Sequence, residues 1–478
     1  MELYKFFTSK YNYLTLIAVP LLFLLILRLL GFDGLYGQDS YEYLRYTNAI
    51  QNYIVEGTHP GNYYWPVLYP VFGSLIGFIF GSTPLGLQLI SCLSFSTACI
   101  YILKSIRLLY PKAPFSFLYV FVFAVFCPFL LKMGLIVMSD ATAMAFVVLT
   151  FYFFFKSYYK KTSIVPLFVF ATCALMTRYA SLFITLPIIL YSLYLVIKRK
   201  SVYQFITAIC LSFLVVVPFI IFQWNALFEV TSNYFLKVWS FLNYFKASYT
   251  TADGTQSYLL PNLVYTFYVF FHPGFIFIGV LLSLISLKER KYLFSFPQKI
   301  LCASIGLYVF FLAGIPFQNS RILGLVFPLV LIFLFPAFLS VTKKKYVQKF
   351  IIPFTIISII AQLCFWIATF HQVYSRTLIE KEIVDLLEPY QEHTLYSFDL
   401  DLAIKGRGLN FEYKNMFVDL YKNYNTGDLI LFDPLRYRFQ WKDKNPMLNW
   451  EFIEDNYNLK ILDTHPKGWK LYKIESKK

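Results

Sequence analysis

Long apolar runs repeat through most of this sequence and constrain its fold more than any other feature. A helix that crosses a membrane needs about 20 mainly apolar residues. Eleven runs meet or approach that length, at residues 13–31, 85–103, 113–131, 139–155, 163–177, 179–197, 202–224, 263–287, 300–317, 322–341 and 350–370. The chain is 58% hydrophobic and 14% charged, whereas soluble chains average about 25% charged residues. We therefore expect an all-α polytopic membrane protein with about 11 transmembrane helices.

Basic residues are concentrated in alternate loops, and this predicts the orientation of the chain. If the N-terminus is cytoplasmic, the cytoplasmic loops contain 19 lysines and arginines and the opposite loops contain six. This asymmetry is the positive-inside pattern. An apolar stretch at 64–81 is predicted to be interfacial or re-entrant, because counting it as a span would place the lysine clusters outside. The run 13–31 is predicted to be an uncleaved first helix.

The net charge of +16 suggests nucleic acid as a partner, but the distribution of the charge argues against it. The positive excess lies in short loops before residue 371, and no basic stripe or nucleic-acid-binding module is recognisable. All seven cysteines fall in apolar runs, so neither a disulfide nor a zinc framework is expected. No cofactor is predicted, and a divalent metal has no support in the sequence.

The segment after the last apolar run differs in composition and predicts a separate domain. Residues 371–478 have nearly balanced charge, a helical pattern at 378–387 and strand-like runs at 394–398, 428–432 and 469–474. We expect a transmembrane domain at 1–370, with outer loops 32–84 and 225–262, and a small soluble α/β domain at 371–478. Eleven crossings place this C-terminal domain outside the cytoplasm. In a bacterium the membrane would be the inner, plasma membrane.

One short motif in that domain could bind a metal. Asp399-Leu-Asp401 matches the Asp-X-Asp pattern with which many soluble glycosyltransferases hold a metal and a nucleotide. The segment has no glycine-rich phosphate loop and is small for such an enzyme. A solvated strand end is the interpretation we favour for this motif.

Polar side chains are densest directly after the first apolar run. If this segment opens a helix, Asp39, Glu42, Tyr43 and Tyr46 share one face. Asp-X-X-Glu is typical of a capping box, with Asp39 as the N-cap and Glu42 at the third helical position. A carboxylate beside the membrane surface could also deprotonate an acceptor hydroxyl or amine. The two roles are compatible.

Three further charged residues are predicted at the outer ends of helices. Asp140 begins the fourth run after a serine, and a Ser/Asp pair there is typical of a helix cap. Arg178 and Arg321 could extend to the membrane interface, or their planar guanidinium groups could bind a lipid phosphate. His59 and His272 share no spacing, which favours satisfied polar side chains over a metal site.

In their order along the chain, these motifs resemble the GT-C superfamily of integral-membrane glycosyltransferases, in particular protein O-mannosyltransferases and the lipid A aminoarabinose transferase. The resemblance covers residues 1 to about 341. The matching segments are Gly37-Gln-Asp39-Ser-Tyr-Glu-Tyr, His59-Pro-Gly, Trp65-Pro-Val-Leu-Tyr69-Pro, Ser139-Asp140, Thr177-Arg178-Tyr179 and Asn319-Ser-Arg321.

The resemblance implies an enzyme that transfers a hexosyl or pentosyl group outside the cytoplasm. Its partners would be a polyprenyl-phosphate-linked sugar donor, a glycan, lipid or protein acceptor, and the lipid bilayer. It implies that Asp39 is the catalytic base and that Arg178 and Arg321 contact the donor phosphate. The other residues that we expect to contact donor or acceptor are Glu42, His59, Tyr69, Asp140 and His272. The chain departs from the family pattern in having Glu42 three residues after Asp39 instead of adjacent acidic residues.

A lipid-linked glycan transporter or flippase is the alternative function. It would share an aromatic groove and outer arginines with the enzyme. An ion-coupled transporter needs ionisable groups near the middle of the membrane, and no charged residue lies deep in any apolar run. The cluster of outer carboxylates therefore favours the enzyme.

Overall fold

The computed structural model describes residues 11–111, 113–224, 237–251, 254–288 and 295–478. Several predictions concern residues outside these ranges, namely the loop cations Lys5, Lys10, Lys112, Arg290 and Lys291, and the segment 225–236 of the second outer loop. The chain forms two compact units. Unit 1 comprises Met1–Gly34, Tyr46–Phe245 and Asn262–His371, and unit 2 comprises Leu35–Arg45, Lys246–Pro261 and Gln372–Lys478.

Helices dominate the chain up to residue 387. In order they are α1 (Tyr11–Leu29), α2 (Gly37–Glu56), α3 (Leu68–Phe80), α4 (Thr83–Leu109), α5 (Ser116–Val120), α6 (Pro128–Leu135), α7 (Asp140–Lys160), α8 (Val165–Thr177), α9 (Ser181–Arg199), α10 (Val202–Gln223), α11 (Asn262–Tyr265), α12 (Tyr268–Phe271), α13 (Gly279–Lys288), α14 (Phe296–Ala313), α15 (Ser320–Gly324), α16 (Phe327–Thr342), α17 (Lys345–Lys349) and α18 (Ile351–Leu387). Within the described ranges, seven helices are long and apolar enough to cross a membrane, or eight if one bent pair is a single span. The prediction of a polytopic helical membrane protein is confirmed.

Three of the predicted spans are not continuous helices. In the run 322–341, α15 ends at Gly324 and α16 begins at Phe327. In the run 113–131, a π-helical segment follows α5, and the chain bends by 66° before α6, which begins at Pro128. In the run 263–287, the helix stops at Phe271, and His272 takes an extended conformation ahead of Pro273. Proline disfavours the helical conformation of the residue before it. A hydropathy window measures apolar length but does not detect these breaks.

The stretch 64–81, predicted to be interfacial or re-entrant, contains the 13-residue helix α3. At 1.5 Å per residue this helix is about 20 Å long, shorter than the roughly 30 Å of a bilayer core. It ends at Gly81 in the left-handed conformation (φ 64°), which glycine adopts without steric cost. The interfacial placement stays a prediction.

Unit 2 contains a mixed five-stranded sheet, as expected for an α/β domain. Its strands are β3 (Thr394–Ser397), β4 (Glu412–Asn415), β5 (Leu429–Phe432), β6 (Tyr457–Thr464) and β7 (Lys470–Lys477), in the order β4-β3-β5-β7-β6. β3 is parallel to β4 and β5, whereas β7 is antiparallel to β5 and β6. Helices α19 (Asp401–Gly406), α20 (Pro434–Tyr437) and α21 (Asn445–Asn456) accompany the sheet.

Unit 2 includes the C-terminal segment from Gln372 and two segments that lie earlier in the chain. The helix predicted at 378–387 is the continuation of the last predicted span, because α18 runs unbroken for 37 residues. Segments of both predicted outer loops also belong to unit 2. One is Leu35–Arg45, and the other contains the hairpin β1 (Ser248–Thr251) and β2 (Gly254–Ser257). In this hairpin the Thr255 amide donates a 2.9 Å hydrogen bond to the Gln440 carbonyl oxygen.

Candidate functional site

A buried carboxylate, that of Asp140, pairs with two arginines in unit 1. The Asp140 side chain has no exposed surface, and its Oδ1 lies 2.6 Å from Arg178 Nη1. Its Oδ2 lies 3.4 Å from Arg321 Nε. A buried charge is costly unless it is paired, and two guanidinium groups provide that pairing. The structure therefore brings together three residues that the sequence analysis selected separately.

Each of the three residues lies at a helix terminus. Asp140 is the first residue of α7, and Ser139, at the N-cap position, makes no side-chain capping hydrogen bond. The predicted capping role of Asp140 is therefore wrong, because its carboxylate pairs with arginines. Arg178 follows α8 with extended backbone angles (φ −157°, ψ 117°). Arg321 lies in α15, where its amide donates a 3.0 Å hydrogen bond to the Asn319 side chain.

A third cation adds positive charge beside this pair. Lys132, in the last turn of α6, interacts electrostatically with Arg321. Tyr308 is fully buried, interacts with Arg178 and Asp140, and donates a 2.9 Å hydrogen bond to the Ile322 carbonyl oxygen. Neither Lys132 nor Tyr308 was predicted as a site residue, although Lys132 is one of the six cations on the predicted outer side. Arg178 and Arg321 each keep 20% of their side chain exposed, so they remain accessible to an anionic ligand.

The two predicted histidines differ in their surroundings. His272 stacks on Tyr268 with ring centroids 4.8 Å apart and on Phe129 at 5.3 Å. Lys132 Nζ lies 5.3 Å from the centroid of the same Phe129 ring. The exposed His59 accepts a 3.1 Å hydrogen bond from the Gly61 amide. His272 is thus linked to Lys132 through a shared aromatic ring, whereas His59 stabilises its own turn.

Tyr69 has a packing role in this structure. Its side chain has no exposed surface, and its hydroxyl lies 3.1 Å from the Leu87 carbonyl oxygen and 2.9 Å from Ser91 Oγ. Ser91 in turn donates a 3.1 Å hydrogen bond to the Met138 carbonyl oxygen. Because Met138 lies two residues before Asp140, these bonds support the backbone that leads into α7.

Asp39 lies in the first turn of α2, in unit 2. The helix begins at Gly37, so Asp39 is its third residue and the predicted N-cap position is wrong. Glu42 does not reach back to the helix start but forms two 2.6 Å hydrogen bonds with Arg45. A carboxylate in the first turn is favoured by the positive end of the helix dipole. The half-buried Asp39 side chain therefore lies where its negative charge is stabilised.

A buried polar network holds the start of α2 within unit 2. Tyr41 donates a 2.7 Å hydrogen bond to Glu380 Oε2, and Arg376 Nε donates to Glu380 Oε1 at 2.7 Å. Thr377 Oγ1 donates to the Leu35 carbonyl oxygen at 2.7 Å. These bonds attach the segment that carries Asp39 to the C-terminal half of α18. The partners in α18 lie outside the region of the resemblance, and no sequence motif predicted these bonds.

Metal ligation finds no support in the described part of the chain, which contains no group of three or more His, Cys, Asp or Glu side chains able to hold an ion. In the Asp-X-Asp motif, Asp399 Oδ2 accepts hydrogen bonds from Arg376 at 3.1 Å and from Tyr437 at 3.0 Å. Asp401 Oδ2 accepts a 3.4 Å hydrogen bond from Asn415. Each carboxylate therefore has its own protein partner.

Comparison with known proteins identifies the fold. Neither a protein-family model nor a curated protein sequence matches the chain. Among solved structures, ArnT from Cupriavidus metallidurans, bound to undecaprenyl phosphate, superposes with a TM-score of 0.60 over 97% of this chain and 98% of its own, at 12% identity. An oligosaccharyltransferase from Archaeoglobus fulgidus superposes with a TM-score of 0.55 over 97% of this chain and 74% of its own, at 15% identity. Both neighbours belong to the GT-C superfamily. The chain has the GT-C fold.

The fold that the order of the sequence motifs implied is confirmed, and the structural match extends beyond residue 341 to nearly the whole chain. The archaeal oligosaccharyltransferase has also been solved with Zn and sulfate, and that structure superposes with a TM-score of 0.55 at 13% identity. A bound metal is thus a property of that neighbour. In this chain, Asp140 pairs with Arg178, Asp399 with Arg376 and Tyr437, and Asp401 with Asn415.

Proposed function

We propose that this protein is a glycosyltransferase that moves a monosaccharide from a polyprenyl-phosphate-linked donor to a glycan, lipid or protein acceptor on the non-cytoplasmic face of the membrane. The observation that carries the proposal is the pairing of buried Asp140 with Arg178 and Arg321 in a GT-C fold. A structural neighbour bound to undecaprenyl phosphate supports the lipid carrier. The proposed orientation has the N-terminus in the cytoplasm and unit 2 outside it.

The charge of the arginine cluster suits the leaving group of this reaction. The donor is a phosphodiester with one negative charge. When the bond between the sugar C1 and the phosphate oxygen breaks, its electron pair stays on that oxygen. The resulting monoester carries about −1.5 to −2 at neutral pH. Arg178, Arg321 and Lys132 outnumber the single carboxylate of Asp140, so they can stabilise the charge that develops on the phosphate.

The acceptor must lose a proton as it attacks the sugar. We assign Asp39 as the general base that takes the proton from the acceptor hydroxyl or amine while the new bond to C1 forms. Its place in the first turn of α2 supports this role, because the Tyr41–Glu380 hydrogen bond orients that turn. Glu42 supports the same helix through Arg45. Contacts of His59, Tyr69 and His272 with donor or acceptor stay predictions.

The function can be tested in cells by deleting the gene and measuring lipid-linked sugars and surface glycans by mass spectrometry. We expect one polyprenyl-phosphate sugar to accumulate and one glycan or lipid to lack a single sugar. Wild type should restore both, and the Asp39→Asn variant should restore neither. Unchanged lipids and glycans in the deletion strain would contradict the proposal.

A reconstituted assay separates the enzyme from a flippase. The donor purified from the deletion strain is mixed with detergent-solubilised protein and the sugar-deficient acceptor. A transferase forms product in detergent, where no membrane separates two compartments. A flippase has no gradient or second leaflet to act on there and forms none. Absence of product, with the protein folded, would therefore favour the transporter.

A further inference from the structure

Unit 2 contains a pocket of about 290 Å³ that the proposed chemistry does not use. It is lined by Gln38, Phe398, Asp399, Asn415, Phe417, Arg436, Tyr437, Gln440 and Trp441. Phe398 and Asp399 directly follow β3, and Asn415 ends the parallel neighbour β4. The crevice outside the carboxyl ends of parallel strands is the usual ligand site of open α/β sheets.

One side of the pocket is aromatic. Trp441 packs edge-on against Phe398 and Phe417, with ring centroids 5.0 and 5.4 Å apart. Tyr437 lies 4.6 Å from the centroid of Phe398. Trp441, Phe398 and Tyr437 are each less than 10% exposed. Packing therefore holds these rings in place, and they form a rigid apolar surface without a ligand.

The other side is polar and includes a strained residue. Asp399 has a left-handed backbone (φ 71°), which few residues other than glycine adopt. Arg376 holds this conformation by donating to Asp399 Oδ2 at 3.1 Å and to its carbonyl oxygen at 3.0 Å. Tyr437 donates to the same Oδ2, and burial raises the pKa of Tyr437, so its hydroxyl stays a donor. Within the described chain, Asp399 Oδ1 has no hydrogen-bond partner, so it is available as an acceptor.

Arg436 supplies the cation of the pocket. Its side chain is exposed, its guanidinium carbon lies 5.7 Å from the centroid of the Tyr437 ring, and it forms no ion pair with any described carboxylate. Gln38 and Gln440 add amide groups to the lining. Five of the nine lining residues thus carry charged or amide side chains, whereas a groove for an acyl chain would be apolar throughout.

We propose that this pocket binds one sugar ring of a carbohydrate acceptor. A pyranose ring has C–H groups on its faces, which pack on aromatic rings, and hydroxyls around its edge, which bind carboxylate, amide and guanidinium groups. Small-molecule sites span about 300–1,000 Å³, and a volume of about 290 Å³ suits a single ring. The inference rests on the proposed function for the role of the ring as acceptor.

One residue of the pocket is adjacent in the chain to the proposed base. Gln38, which lines it, directly precedes Asp39 in the first turn of α2. Arg376 joins the two features, because it binds Asp399 on one side and Glu380, the partner of Tyr41, on the other. A sugar held at Asp399 would therefore lie against the segment of chain that carries the base, which is where an acceptor must be bound.

Binding can be measured without any assumption about activity. The full-length protein in nanodiscs is titrated with the methyl glycosides of glucose, galactose, N-acetylglucosamine and glucuronic acid, and saturation-transfer NMR reports contact. We expect at least one glycoside to bind. Arg436→Gln and Gln440→Ala should each weaken that binding, about tenfold for loss of the charged group. The matched control is Arg438→Gln, since Arg438 is also exposed, lies two residues away and does not line the pocket.

The outcomes separate this inference from the proposed function. If no glycoside binds, or if binding survives Arg436→Gln and Gln440→Ala, the pocket is not a sugar site. If a glycoside binds and both variants weaken it, but the reconstituted assay shows no transfer, the sugar site stands and the glycosyltransferase proposal fails. If the variants weaken glycoside binding and the assay also shows transfer, Arg436→Gln should raise the KM for the acceptor about tenfold while leaving the KM for the donor unchanged.

Discussion

The hydroxyl of Tyr41 donates a 2.7 Å hydrogen bond to Glu380 Oε2, linking residues 339 positions apart in the chain. Both side chains are 1% exposed. The other oxygen of Glu380 accepts from Arg376, which also binds Asp399. Because Tyr41 lies two residues after Asp39, this bond makes the start of α2 part of the C-terminal unit. The orientation of the proposed base thus depends on the domain that follows the last apolar run.

Tyr41→Phe should destabilise unit 2 by removing this bond. A hydrogen bond to a charged group contributes about 1.5–3 kcal/mol, and Glu380 keeps its pairing with Arg376. We expect a lower Tm in a thermal melt of the purified protein. Tyr203→Phe is the control for loss of a hydroxyl, because Tyr203 is 83% exposed. Equal melts for the two variants would show that the bond contributes nothing to stability.

Asp39→Asn should abolish turnover with little effect on folding. Asparagine preserves the shape of the side chain in the first turn of α2 but cannot accept the acceptor proton, so the rate should fall about 10²–10⁴-fold. Glu56→Gln is the matched control in the same helix, since Glu56 is an exposed carboxylate at the last residue of α2. Turnover and melting temperature are measured for both variants. An Asn variant that is folded and fully active would exclude Asp39 as the base.

Arg178→Lys and Arg321→Lys should weaken use of the donor. Lysine keeps the charge beside Asp140 but loses the planar fork that binds phosphate through two hydrogen bonds. We expect the KM for the polyprenyl-phosphate donor to rise about tenfold in each variant. Arg45→Lys serves as the control, because Arg45 pairs with a different carboxylate, that of Glu42 in α2. Full activity of both variants at limiting donor would mean that the two arginines serve only to neutralise Asp140.

Asp401→Asn should stabilise the protein in a pH-dependent way. Burial raises the pKa of Asp401 above its ordinary value of 3.8, so the folded protein holds this proton more tightly than the unfolded chain does. Stability from this group is therefore present below the ordinary pKa and is lost as pH rises through the raised pKa. The asparagine variant should melt higher than wild type at neutral pH and close to wild type near pH 4. A variant that melts lower at neutral pH would show that burial does not penalise the Asp401 charge.

A reporter fused after Lys478 tests the orientation. If the basic loops face the cytoplasm and the chain crosses an odd number of times, the C-terminus lies outside. Alkaline phosphatase fused there should be active, and green fluorescent protein should be dark. The opposite result would mean that one crossing is miscounted. The stretch 64–81 and the 13-residue helix α8 are the first segments to test with further fusions.

The sequence by itself determined the membrane character of the chain, the positions of most long helices and the identity of the charged residues near their ends. These features are local: apolar length decides whether a segment partitions into a bilayer. Pro128 and Pro273 break two of the apolar runs. The effect of a proline on the helix is also local, but a count of apolar residues does not detect it. The α/β character of the C-terminal domain also followed from local patterns, with β4 and β6 unpredicted.

Only the tertiary structure decided which of these residues meet. In an isolated helix, Asp140 could equally act as a cap. It becomes an ion-pair partner because helix packing brings Arg178 and Arg321 to it from 38 and 181 positions away in the chain. The same holds for Asp399, whose pocket depends on β3, β4 and α20 packing side by side. Charge pairing acts over a few ångströms in space, whereas a sequence pattern reports only distance along the chain.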